Sequence, residues 1–222
     1  MGTSRCLRYD HAMSETSTRE SIKALALELL IRHGYRGMSF GDIASGLGTT
    51  RANIHYHFGN KQQLVEEVLA DYVERTLAGL ARIWSGEGRT FAARIEAMVD
   101  FSRERYRRYN PPGTEGRPWS LISRLRQDAD LLTAGGRVTL KRFGDELTGI
   151  LVTAIGDARA RGEFDAVMPV EDVALHLVTL ADNAAPITLE AGDFARLERL
   201  YRGFADMVDR AFAPKRSAVA RN

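Results

Sequence analysis

The residues with the most chemistry to offer lie between Ser39 and Lys61, in the run SFGDIASGLGTTRANIHYHFGNK. Arg51, Asn53, His55, Tyr56 and His57 crowd one short stretch of it, and a helix cannot bury so many polar groups cheaply. Arg and Asn carry the forked donors and acceptors that match guanine and adenine edges. Tyr, His, Thr and Lys suit phosphates and sugars. Ile54 and Phe58 stand one turn apart and would seat the segment. His55 and His57 invite a metal reading, but two residues of separation turn them about 200° apart on a helix, so they cannot share one ion.

Such a segment needs helices to hold it. Ser17 and Glu20 have capping-box spacing and open a helix with Ile22, Leu25, Ala26, Leu29 and Leu30 on one stripe. Gly34 is placed to end it. Ser39 with Asp42 starts a short second helix carrying Phe40, Ile43, Ala44 and Leu47. Gly48 supplies a tight turn, Thr50 caps a third helix running to about Phe58, and Gly59-Asn60 breaks it. Helix, glycine turn and short helix is helix-turn-helix spacing. A fourth helix runs from Lys61 to about Trp84 with Leu64, Val65, Val68, Leu69, Tyr72, Leu77 and Leu80 inward.

Beyond it the pattern stays helical. The sequence predicts helices over Thr90–Tyr109, Trp119–Leu132, Val138–Arg161, Pro169–Leu189 and Asp193–Phe212. Residues 110–118 form a loop and Gly135-Gly136 a break. The class is all-α with about nine helices. Four segments are expected: 1–14 as a disordered lead, 15–62 as the helix-turn-helix domain, 63–213 as a second helical domain and 214–222 as a disordered tail.

The stretch LGTTRANIHYHFGNKQQLVEEVL resembles the recognition helix and following helix of TetR/AcrR-type transcriptional regulators. Ile43-Ala44, Gly48, Tyr56-His57-Phe58, Lys61 and Leu64 fall in that family's pattern, and the match covers about Thr18 to Val73. Thr49 departs from it where an apolar residue is usual, and His55 where an aromatic or Leu-like residue is frequent. The resemblance implies a two-domain, all-α homodimer whose first three helices bind a double-stranded DNA operator. It implies that Arg51, Asn53 and His55 face bases and that Thr50, Tyr56, His57 and Lys61 grip the backbone; Ser39 is a further candidate for DNA binding. The later helices would hold a small-molecule effector and the dimer seam. Repression relieved by that effector is the implied function. An activator, or a regulator needing no effector, would carry the same residues.

For the effector pocket the candidates are Tyr106, Tyr109, Trp119, Phe143, His176 and Asn183. For the dimer interface they are Leu197, Leu200, Tyr201, Phe204 and Val208, spaced as one face of the last helix. The basic run Arg103, Arg105, Arg107 and Arg108 reads as a solvated face.

Bulk properties bound these readings. The chain has 222 residues, is 44% hydrophobic and 27% charged, and has a net charge of only +2. From Glu15 to Leu64 there are six Lys/Arg against four Asp/Glu, so the DNA-binding reading rests on local residues and not on global charge. A single cysteine, Cys6, leaves no intrachain disulfide and no cysteine-based zinc site. No nucleophile motif, Gly-rich phosphate loop or metal-ligand spacing points to an enzyme, and no cofactor or metal is expected. Apolar runs are too short to span a bilayer and no apolar leader is visible, so the expected location is cytoplasmic, without membrane contact.

Overall fold

A computed structural model describes residues 4–86, 88–114 and 116–214, with only the backbone course given for residues 4–16. Among the described residues there are ten α-helices and no strand: α1 (Ser4–Gly37), α2 (Phe40–Leu47), α3 (Arg51–Phe58), α4 (Lys61–Trp84), α5 (Phe91–Tyr109), α6 (Leu121–Gln127), α7 (Ala134–Ala160), α8 (Val170–Asp182), α9 (Ala184–Ala191) and α10 (Ala195–Phe212). A 3-10 turn, Ala129–Leu131, follows α6. None of these helices is long and apolar enough to cross a membrane.

The all-α class holds, and the details differ for physical reasons. Helix α1 starts at Ser4, so the backbone of residues 4–14, expected as a lead outside the fold, follows a helical course. No Gly or Pro stands between Ser4 and His33 to interrupt it. Ser17 is therefore no N-cap: its carbonyl accepts the Ser21 hydroxyl one turn on, at 2.9 Å. Gly34 does break the helix, at φ 73°, a backbone angle that disfavours any side chain. The helix expected over 169–189 is two, because Pro186 lacks the N–H that would bond the carbonyl of Asp182, where α8 ends. Gly135 and Gly136 lie in the first turn of α7 instead of breaking the chain; the Thr133 hydroxyl accepts the Gly136 N–H there at 3.1 Å. The helix expected over 119–132 shrinks to α6, capped by Ser120. Of the expected tail, residues 215–222 lie outside the described residues.

The chain divides into two compact units that are not contiguous blocks. The first comprises residues up to Val73 together with Ser120–Leu140, the second Glu74–Trp119 and the residues from Lys141 on. Helix α6 thus belongs with the helix-turn-helix, and the reason lies at Gly34. Where α1 breaks, the Tyr35 N–H donates to the Asp128 carboxylate at 2.8 Å, tying the C-terminus of α6 to α1. The Leu121 N–H donates to the Tyr72 hydroxyl at 3.3 Å, tying its start to α4. The core of this unit is Ile22, Leu30, Ile31, Ile43, Ile54, Phe58, Leu64 and Leu69, all buried. Each such side chain contributes about 1.5–3 kcal/mol on leaving water.

The second unit has its own core. Trp84, Phe91 and Phe164 pack ring against ring, with centroids 6.1 and 5.4 Å apart. Arg94 is buried beside them and donates to the carbonyls of Ala154 and Gly86, at 3.1 Å each. Helix α10 lays Leu197, Tyr201, Ala205 and Val208 inward at helical spacing.

Candidate nucleic-acid interface

Short helices are unstable alone, so α2 and α3 depend on their ends and seats. Ser39 caps α2 through a reciprocal pair. Its hydroxyl accepts the Asp42 N–H at 3.2 Å, and the Asp42 carboxylate accepts the Ser39 N–H at 2.9 Å and hydroxyl at 2.6 Å. Gly48 closes the helix in the left-handed region, φ 62°, and its N–H returns to the carbonyls of Ala44 and Ser45. Two residues later Thr50 opens α3, its hydroxyl accepting the Asn53 N–H at 3.2 Å. The turn is therefore fixed at one end by the Gly48 backbone and at the other by the Thr50 side chain, as the Gly and Thr spacing predicts.

Donation from Ser39 holds the Asp42 carboxyl below its ordinary value of 3.8. A carboxyl depressed by folding stabilises fully above its unfolded value and loses that contribution as pH falls through the lower folded one. Thermal melts should thus show the unaltered chain more stable than Asp42→Asn by a constant margin above about pH 5, closing below the ordinary value. A margin that persisted in strong acid would remove the capping carboxylate from the account.

Helix α3 has an inner and an outer face. Ile54 and Phe58 are buried against the head, as expected. Arg19 of α1 pins the C-terminal turn: its guanidinium lies 4.2 Å from the centre of the Phe58 ring and donates to the His57 carbonyl and to Glu67 of α4, at 2.6 Å for Oε1. Sequence reading missed Arg19, because an arginine on a helix gives no sign of which neighbouring carbonyl it will meet.

The expected contact residues fall into two groups. Tyr56 is 73% exposed, and Ser39, Thr50 and Arg51 are also exposed. Asn53 and Lys61 are half-buried, and they and the exposed His55 each have a partner within the head. The Asn53 amide donates to the Thr49 hydroxyl at 3.0 Å, which gives the departure at Thr49 a structural partner. The Nδ1 of His55 meets the Gly59 carbonyl at 2.8 Å, and its ring stands edge-on to Phe40 at 4.7 Å. The Lys61 ammonium sits 4.5 Å above the Tyr35 ring. Partial burial there pulls Lys61 below its ordinary 10.5, against the upward pull of Asp42 and Asp128. His57 is half-buried, with Tyr56 edge-on at 5.2 Å.

In the second unit the structure brings together some of the expected pocket residues and separates others. Tyr106, Tyr109, Trp119 and Phe143 are buried. Tyr106 packs on Trp119 at 6.4 Å and on Phe194 at 5.4 Å, and the Trp119 indole donates to the Thr188 hydroxyl at 2.7 Å. Phe194 and Thr188 were not anticipated. His176 and Asn183 are exposed and do not join this cluster; each turns back on its own helix, to the carbonyls of Asp172 and Thr179. The basic run is not simply solvated either: Arg103 pairs with Asp100 and Glu198, and Arg105 donates to the Thr76 hydroxyl at 2.9 Å.

The residues expected at the dimer interface divide between two faces of α10. Leu197, Tyr201 and Val208 are buried within their own unit. The stripe of α10 left outside is Leu200, Gly203, Phe204 and Met207, lining an open groove with Arg196 and Arg199. Leu200 is 40% and Met207 63% exposed, while Phe204 stacks on His176 of α8 at 5.8 Å. Leu175 of α8 is exposed as well. The helix carries apolar residues on two adjacent stripes, and spacing alone does not tell which one a unit keeps.

Residues 22–68 match the family described as bacterial regulatory proteins, tetR family. The chain is 27% identical over 95 residues to the HTH-type transcriptional repressor KstR2 of Rhodococcus jostii (strain RHA1), covering 43% of this chain and 46% of that protein. It is 31% identical over 65 residues to KstR2 of Mycolicibacterium smegmatis, covering 29% of this chain and 32% of that protein. The chain thus matches under half the length of these curated relatives. A TetR transcriptional regulator from Chloroflexus aurantiacus J-10-FL superposes with a TM-score of 0.75 at 22% identity, over 91% of this chain and all of that one. At that identity the likeness speaks for the fold.

Proposed function

We propose that this chain, whose residues 22–68 match the tetR family of bacterial regulatory proteins, is a homodimeric transcriptional repressor released from its operator by a small molecule. The observation that carries this is α3: a helix capped at its start, anchored on Ile54 and Phe58, and presenting Arg51 and Tyr56 outward. The N-terminal residues of a recognition helix are those that reach base edges in the major groove. Repression is favoured over activation by the two repressor relatives.

Two copies would meet through the outer stripe of α10 and place two α3 helices on half-sites about 34–36 Å apart. The aromatic cluster of Tyr106, Trp119 and Phe194, with the Thr188 hydroxyl, is the proposed wall of the effector site. An effector that binds the DNA-free arrangement better than the bound one shifts the balance, by about 1–3 kcal/mol in typical regulators. Helix α4, which has residues in both units, is the element proposed to transmit it.

Paired substitutions test the roles on α3 and α4. Arg51→Ala should cost about 1–3 kcal/mol of operator binding and relax selectivity at one base pair. Lys61→Ala should weaken all duplexes alike and flatten the salt dependence by about one charge. Selectivity left intact by Arg51→Ala in fluorescence titrations would remove the base-reading role, and a loss confined to one operator by Lys61→Ala would remove the phosphate role.

A further inference from the structure

Gly41 is the second residue of α2, and nothing in its backbone requires a glycine: positive φ occurs at other glycines and not there. Glycine costs a helix stability relative to alanine, so its presence calls for another explanation. The space beside it supplies one. The Arg51 guanidinium lies across the Gly41 backbone, and a Cβ at that position would stand 2.6 Å from Nη2, 3.0 Å from Nε and 3.1 Å from Cζ. The 2.6 Å contact is shorter than side chains tolerate and the other two are tight, so any other residue at 41 must move the guanidinium. The movement is cheap for the fold, since the atoms that give way are the far end of a flexible side chain.

Asp42, the next residue along α2, adds a carboxylate whose charge interacts with Arg51. Arginine has many rotamers, and holding one before binding lowers the ordering cost on the complex. Its two-pronged contact with a guanine edge also depends on the plane of the guanidinium.

We propose that Gly41 is a positioning residue that sets the aim of Arg51, and so helps choose the base pair the recognition helix reads. The inference rests on the DNA-binding reading above and adds a residue that contributes by having no side chain. A rival role for Gly41 is close approach of the DNA backbone to α2 itself, and the two roles separate in a double-mutant cycle.

The experiment selects duplexes from a random pool with the unaltered full-length chain. It then measures binding of the selected duplex and its single-base variants to Gly41→Ala, Gly41→Ser, Arg51→Ala and Gly41→Ala/Arg51→Ala. Gly41→Ala is expected to keep or raise the melting temperature and to bind the selected duplex about tenfold more weakly, the loss falling at the base pair that Arg51→Ala also relaxes. Gly41→Ser, which adds the same Cβ, should repeat the pattern. The double variant should bind no more weakly than Arg51→Ala alone. Gly41→Ala and Gly41→Ser binding as the unaltered chain does, or Gly41→Ala weakening Arg51→Ala as much as it weakens the unaltered chain, would overturn the inference and leave the DNA-binding reading standing. A pool from which the unaltered chain selects nothing would overturn both.

Discussion

A chain carrying Leu200→Asp and Met207→Asp is expected to sediment as a monomer and to bind its operator about 10²–10⁴-fold more weakly than the unaltered chain. The magnitude follows from valency: the second half-site contact is intramolecular in a dimer, and its advantage disappears when the copies separate. Both residues are exposed in the monomer, so the substitutions leave its core intact. In the dimer they would place carboxylates in an apolar seam, where an unpaired charge is costly. Substitution of Leu197 or Tyr201, on the buried stripe, should instead lower stability first. Sedimentation with circular dichroism separates the two cases. A double variant that stayed dimeric would move the interface away from α10.

The second large effect concerns the seat of the recognition helix. Phe58→Ala removes a fully buried ring and its contact with the Arg19 guanidinium, and should cost about 3–5 kcal/mol. A unit as small as the head has little stability to spare, so its helices should unfold at lower urea and binding to every duplex should fail together. Tyr56→Ala, on the exposed face, is the control: its urea midpoint should not move, while DNA binding weakens. A Phe58→Ala head that melted normally yet lost DNA would mean the ring acts at the DNA surface and not as an anchor.

What was legible in the sequence was local. Ser39, Asp42, Gly48, Thr50 and Gly59 act through their own backbone neighbours, so their spacing announced two helices and the turn between them. Ile54 and Phe58 were legible because burial repeats with the helical period. Interactions between distant parts of the chain were not legible. Asp128 holding Tyr35, Arg19 spanning His57 and Glu67, and Trp119 finding Thr188 each join residues 38 to 93 positions apart, and no periodicity encodes them. The residues expected at the α10 interface mix two stripes for a related reason: Leu197, Tyr201 and Val208 turn inward while Leu200 and Phe204 line the outer groove, and only packing separates them. His55 and Asn53 were read by residue type as base contacts; the partners their ring and amide have within the head, Gly59 and Thr49, were not legible from type alone. The break at Asn183 was legible after all, in Pro186, whose ring forbids the continuous helix predicted there.

The central claim is that two copies of this chain read one symmetric DNA site with paired α3 helices. Selection from a random duplex pool at low salt, followed by the mass of the selected complex, tests it most directly. The account predicts a two-fold symmetric motif with half-site centres about one helical turn apart, bound by two chains. No enriched sequence, or an asymmetric one bound by a single chain, would contradict it.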